Sequence, residues 1–247
     1  MRVLLPPSET KKPGGAGAPL AIADLALPAL GEQRSLAVQA LIGLSADADA
    51  AQRVLKLSAR QLSGIVDNAT LLTSPTMPAV DRYTGVLYDA LDAVSLGESS
   101  RAWLGENVWI HAAPFGPISA LDAIPAYRLA AGTSVPGMPP LRRHWAVPTS
   151  EAIAQEKPSF VLDLRSEAYV ALGPIPDGVS AMYVRVVTDQ GKALNHFNKK
   201  SKGQLVRALA QDAPDLSSFG ELVEWSAMRS IVLREVDART AELVVGE

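Results

Sequence analysis

Five short apolar runs set what this chain can fold into: "RVLL" at 2–5, "VWIHA" at 108–112, "SFVL" at 159–162, "MYVRVV" at 182–187 and "ELVV" at 242–245. Each is bounded by turn-forming or polar residues, the pattern of a β-strand. The stretches between them are unequal and mostly helical in character. "SLAVQALIGLSADADAAQRVLKLSARQLSGIVDNATLL" repeats apolar residues at helical spacing, with Ser45 and Ser58 placed to cap helix starts. "SPTMPAVDRYTGVLYDALDAV" reads as a proline-rich turn and then a helix that turns Val86, Leu87, Ala90 and Leu91 inward. Further helices are expected at 195–211 and about 218–230. Strands separated by long helical insertions predict an α/β fold (α+β-like) on a mixed sheet rather than a regular βαβ series. A single domain over 1–247 is expected, with a helical subregion at about 35–95.

The 247 residues, 48% of them apolar, are enough to bury a substantial core. The formal charge of −3 argues against a generally basic nucleic-acid binder, so any anionic partner must meet a local patch. There is no cysteine, which excludes a disulfide framework, a thiol nucleophile and zinc–thiolate sites. The apolar run near the start is too short for a signal-peptide core, and longer ones are broken by charge or proline, as at Asp24 and Pro28. A soluble cytoplasmic protein without membrane partners is the expectation.

Lysine is scarce and concentrated. Six of the eight lysines are Lys11, Lys12, Lys192, Lys199, Lys200 and Lys202, and no Asp or Glu occurs from Gln190 to Gln211. On a helix at about 100° per residue, Lys200, Gly203 and Arg207 form one line. Glycine costs a helix about 1 kcal/mol relative to alanine, so Gly203 implies close approach by a phosphate or another backbone. A solvated basic face is the plainer reading. Near the start, Ser8, Glu9, Thr10, Lys11 and Lys12 follow a strand directly, a composition suited to an anion-binding loop though not a Walker motif. Two other strand ends repeat the pattern, one leading to Asp163, Arg165, Ser166, Glu167 and Tyr169, the other through His111 to Asp122, Tyr127 and Arg128. His111 alternates within its strand and reads as a sheet residue. With three histidines and no HxH or HExxH spacing, no metal site is expected. No GxSxG elbow supports a serine triad built from Ser8 or Ser166 with His111 or His196.

Taken in order, "LLPPSETKK", "DRYTGVLYDALDA", "ALDAIPAYRLAAGT", "LRSEAYVAL" and "LNHFNKKSKGQLVRAL" resemble the YaaA family of peroxide stress resistance proteins. The family's first motif usually reads Ser-Pro-Ala-Lys-Thr, where this chain has Pro7-Ser8-Glu9-Thr10-Lys11. The resemblance implies a compact α/β domain, a helix-hairpin-helix at about 45–72, a positively charged cleft, and links to peroxide stress, intracellular iron and DNA. Ser8, Lys11, Lys12, Arg128, Arg165, Ser166, Asn195, Lys199, Lys200 and Arg207 are the expected DNA- or phosphate-binding residues. Duplex DNA, contacted with little sequence preference, is the first expected partner. The alternative is an enzyme acting on a nucleotide or other phosphate-bearing small molecule, with Asp122, Asp163 or Glu167 as acid or base. No reaction is assigned and no cofactor is expected.

Overall fold

A computed structural model describes residues 1–190 and 197–246. Its nine strands are β1 (Arg2–Leu5), β2 (Met77–Pro78), β3 (Val108–Ala112), β4 (Gly116–Ser119), β5 (Ala123–Ile124), β6 (Val161–Asp163), β7 (Ala181–Thr188), β8 (Val232–Asp237) and β9 (Thr240–Val245). Seven of them form one sheet in the order β4-β3-β1-β6-β7-β9-β8, and β2 pairs separately with β5. The five central strands run parallel, and the edges β4 and β8 are antiparallel to their neighbours. The five apolar runs of the sequence are these five parallel strands. The mixed sheet with flanking helices is thus present.

Ten α-helices surround it among the described residues. The region between β1 and β3 holds α1 (Gly31–Ser45), α2 (Ala48–Leu55), α3 (Ser63–Ala69), α4 (Ala79–Arg82), α5 (Val86–Leu91) and α6 (Glu98–Asn107). Later come α7 (Leu141–Gln155), α8 (Glu167–Val170), α9 (Phe197–Asp212) and α10 (Phe219–Met228). Asp47 caps α2 by accepting from the Ala50 amide at 3.0 Å. α2 ends at Lys56, which holds a left-handed conformation (φ 52°), and the chain re-enters helix through Ser58 and Gln61. That helix–turn–helix occupies the span where the resemblance implied a hairpin, with lysine at the left-handed position instead of glycine. Among the described residues no helix is long and apolar enough to cross a membrane.

Strand order positions the site. From β1 the chain crosses to β3 on one side, whereas β6 pairs on the other side of β1 and is followed by β7 beyond it. Connections therefore leave the C-terminal ends of β1 and β6 in opposite directions, which opens a crevice between them. The β1 exit loop, the β6 exit loop and α9 meet there. α9 lies on α5 at close range: a Cβ built at Gly203 would collide with the carbonyl oxygen of Leu87. The glycine serves a backbone–backbone approach.

Candidate phosphate-binding cleft

The β1 exit, "PPSETK", is shaped by its two prolines and by a hydrogen bond from the Tyr88 hydroxyl to the Pro6 carbonyl at 2.8 Å. Three hydroxyls then cluster. Thr84 Oγ1 donates to Thr10 Oγ1 at 2.9 Å, and Ser8 Oγ lies 3.3 Å from Thr10 Oγ1. Gly85 takes a positive φ of 97° beside them, and a Cβ there would stand 3.4 Å from Ser8 Oγ. Beneath this cluster, Lys11 Nζ donates to the Ser8 carbonyl at 3.0 Å and lies 4.0 Å from the Tyr127 ring centroid and 5.4 Å from that of Tyr83. The two tyrosine hydroxyls bond each other at 2.8 Å. Burial pulls the Lys11 ammonium down to about 7, with Glu9 opposing the shift.

Arg128 reaches the same loop, donating to the Glu9 carbonyl at 2.9 Å. Its own backbone is clasped by Asn68, whose side chain accepts from the Arg128 amide at 2.8 Å and donates to its carbonyl at 2.9 Å. The arginine stem packs on Gly64, where a Cβ would stand 2.9 Å from Arg128 Cβ. Thus α3 and the β1 exit loop are joined through one arginine.

At the β6 exit, Arg165 is fully buried. Its Nε and Nη2 bind the Asp163 carboxylate at 2.8 and 2.6 Å, and Nη1 donates to His111 Nδ1 at 2.9 Å and to the Tyr169 carbonyl at 3.3 Å. Burial and the adjacent guanidinium keep His111 neutral, its pKa well below the usual imidazole value. His111 is therefore a sheet residue that accepts from Arg165, and its Nε2 has no hydrogen-bond partner among the described residues. Asp122 likewise has a structural task, accepting from the Ala26 and Ser119 amides at 2.8 Å each.

α9 supplies the facing wall. Lys202 is buried and donates to the Leu164 carbonyl at 3.0 Å, while the Leu164 amide donates to the Leu4 carbonyl at 2.9 Å. Burial lowers the Lys202 ammonium to about 8, with Asp163 opposing. Lys199 is exposed at the mouth.

Two hollows adjoin here. One, of about 220 Å³, is lined by Ser8, Thr10, Thr84, Gly85, Tyr88 and Lys199 among others. The next, of about 380 Å³, is lined by Arg165, Ser166, Glu167, Tyr183, Lys199 and Lys202 among others. Pro6, Leu87 and Lys199 line both. A larger hollow, about 710 Å³, lies at the opposite end of the sheet by the starts of β6 and β7, and Asp177, Glu224 and Glu235 outnumber Arg239 on its walls.

The expected site residues therefore separate. Ser8, Ser166 and Lys199 line the joined hollows, and Arg165 borders them with its guanidinium held by Asp163 and His111. Lys11 and Arg128 hold the β1 exit loop from behind. Lys12 is exposed, and its backbone is bonded to Arg82 rather than to the hollows. Lys200 is exposed on α9 and lines neither hollow. Arg207 instead caps α5, donating to the Leu91 and Asp92 carbonyls at 2.8 and 2.9 Å. Asn195 lies outside the described residues, as do Lys192 and His196. Sequence reasoning passed over Lys202, Thr84 and Tyr183 as site residues and named Thr10 only as part of the β1 exit loop. Lys202 carried a signal, belonging to the same acid-free lysine cluster as Lys199.

Residues 1–228 match the family described as peroxide stress protein YaaA. A UPF0246 protein of Corynebacterium efficiens is 39% identical over 99% of this chain and 100% of its own length. One from Corynebacterium glutamicum is 38% identical over 95% of each chain. A third, from Streptomyces coelicolor, is 38% identical over 91% of this chain and 88% of its own. With the match spanning the β1 exit, the β6 exit and α9 alike, the chain belongs to the YaaA family of peroxide stress proteins.

Proposed function

We propose that this protein serves the peroxide response by holding phosphate groups in the strand-end cleft, and that the DNA backbone carries them. The observation behind this reading is that hydroxyls from the β1 exit, a hydroxyl from the β6 exit and lysines from α9 line two adjoining hollows. Hydroxyl and ammonium donors at a concave surface suit phosphate oxygens. A phosphate covered by protein is one that free iron cannot occupy, which connects the cleft to iron-linked damage. The test is a DNA titration by fluorescence anisotropy at two salt concentrations. Affinity should fall steeply as salt rises, because each phosphate neutralised releases counterions. Affinity that is independent of salt, or no binding at low salt, removes the DNA reading.

A second reading is favoured by the scale of the hollows. Volumes of about 220 and 380 Å³ match a phosphorylated small molecule better than a duplex, which would ride across their mouths. Thermal-shift measurements with phosphorylated small molecules separate the two: stabilisation by them and none by duplex assigns the cleft to a small ligand.

A further inference from the structure

The phosphate hollow continues past Ser166. Glu167 and Tyr183 line it and also line another hollow of about 290 Å³. The remaining walls of this neighbour are Ala146 of α7, Val170 of α8, then Ala171 and Pro174, with Arg142 as a further charged group. One side of the boundary is therefore cationic and hydroxylated, and the other is apolar. Tyr183 stands between them, half-buried on β7, with its ring centroid 5.7 Å from Lys202 Nζ. Glu167 stands beside it, an exposed carboxylate at the start of α8.

Lysines and a serine hydroxyl, then a carboxylate, then an apolar hollow with an aromatic wall follow one another across this surface. A nucleoside 5′-phosphate carries the matching groups in the same order: an anion, a pair of hydroxyls and a flat ring. We propose that the apolar hollow takes the base of a nucleoside monophosphate whose phosphate lies against Ser166, Lys199 and Lys202, with Glu167 accepting from the ribose hydroxyls. This rests on the phosphate-binding reading of the cleft and adds a ring subsite to it. Tyr183 offers the base a π-face and the small side chains of Ala146 and Ala171 leave room for it. The carboxylate, which would repel phosphate, falls where an acceptor for the ribose hydroxyls is needed.

Calorimetric titration of the full chain with inorganic phosphate, ribose 5-phosphate and adenosine 5′-monophosphate tests the assignment. The monophosphate should bind at least about tenfold more tightly than ribose 5-phosphate, the gain expected from burying and stacking a base. Ala146→Leu fills the apolar hollow from α7 and should remove that gain while leaving ribose 5-phosphate unchanged. Ala171→Leu, filling it from the end of α8, should do the same and serves if the first variant does not fold by circular dichroism. Glu167→Gln should weaken both ribose compounds and spare inorganic phosphate. Equal affinity for the two ribose compounds, or a gain that survives in a folded filling variant, overturns the ring subsite and leaves the phosphate reading standing. No binding of any of the three removes both. Nucleotide binding that ignores Lys199→Ala but is lost on filling the hollow keeps the ring subsite and overturns the phosphate reading.

Discussion

The ammonium of Lys11 lies 4.0 Å from the centre of the Tyr127 ring, under a loop whose carbonyl at Ser8 it holds at 3.0 Å. A cation in that position is stabilised by the ring face and by the Ser8 and Glu9 carbonyls, yet it has lost most of its water. The loss dominates, which is why its pKa falls to about 7.

A pH dependence of stability follows. The unfolded chain holds this proton up to about pH 10.4, the folded chain only to about 7, so between those values the unfolded state binds more protons and stability rises with pH. Below about 7 both states are protonated and the burial penalty is fully expressed. Lys11→Met should therefore flatten the rise between pH 7 and 9.5, a difference on the order of 3 kcal/mol between those two pH values. Urea denaturation of both proteins at several pH values checks it, and parallel curves would show that Lys11 is not the group responsible.

Gly203→Ala should destabilise the fold although alanine is the better helix former. The propensity gain is about 1 kcal/mol. The new methyl must displace the Leu87 carbonyl, and overpacking of this kind costs about 1–3 kcal/mol or more. Because the shift moves α9, ligand binding at Lys199 and Lys202 should weaken as well. Urea midpoints alongside a phosphate titration measure both effects.

Asp163→Asn should lower stability by about 3–5 kcal/mol, since it leaves the fully buried Arg165 guanidinium without its carboxylate. The double variant Asp163→Asn with Arg165→Met should recover part of that loss. Thermal unfolding of the three proteins decides the matter, and a single variant as stable as the parent would mean the pair is not buried in solution.

Lys199 and Arg207 should separate binding from stability, though both lie on α9. Lys199→Ala is expected to leave the unfolding midpoint within about 0.5 kcal/mol and to reduce the salt slope of DNA binding by about 1. Arg207→Ala removes donors to Leu91, Asp92 and Ser95, and should cost about 2 kcal/mol with an unchanged salt slope. The opposite assignment of effects would place the phosphate on the other face of the helix.

The parallel strands were legible because each is covered by helices or neighbouring strands and reads as an apolar run. The edges were not. β4 reads "GPIS", with a proline that only an edge tolerates, and β8 reads "VLREVD", charged because most of its residues are exposed. The helical line of Lys200, Gly203 and Arg207 was also legible, but not its partner. Gly203 and Arg207 face α5, so Arg207 became a helix cap and Gly203 a contact point, while Lys200 stays exposed.

By composition and periodicity alone, the sequence determined the parallel core, the helical insertion after β1 and the gathering of lysine into two short segments. Tertiary structure decided which cations meet. A helix wheel gives a side chain's direction about its own axis but not what packs against it, and only packing separates the buried Lys202 and the capping Arg207 from Lys199 at the cleft mouth. The crevice itself comes from strand order, a relation between residues about 160 positions apart that no local pattern encodes.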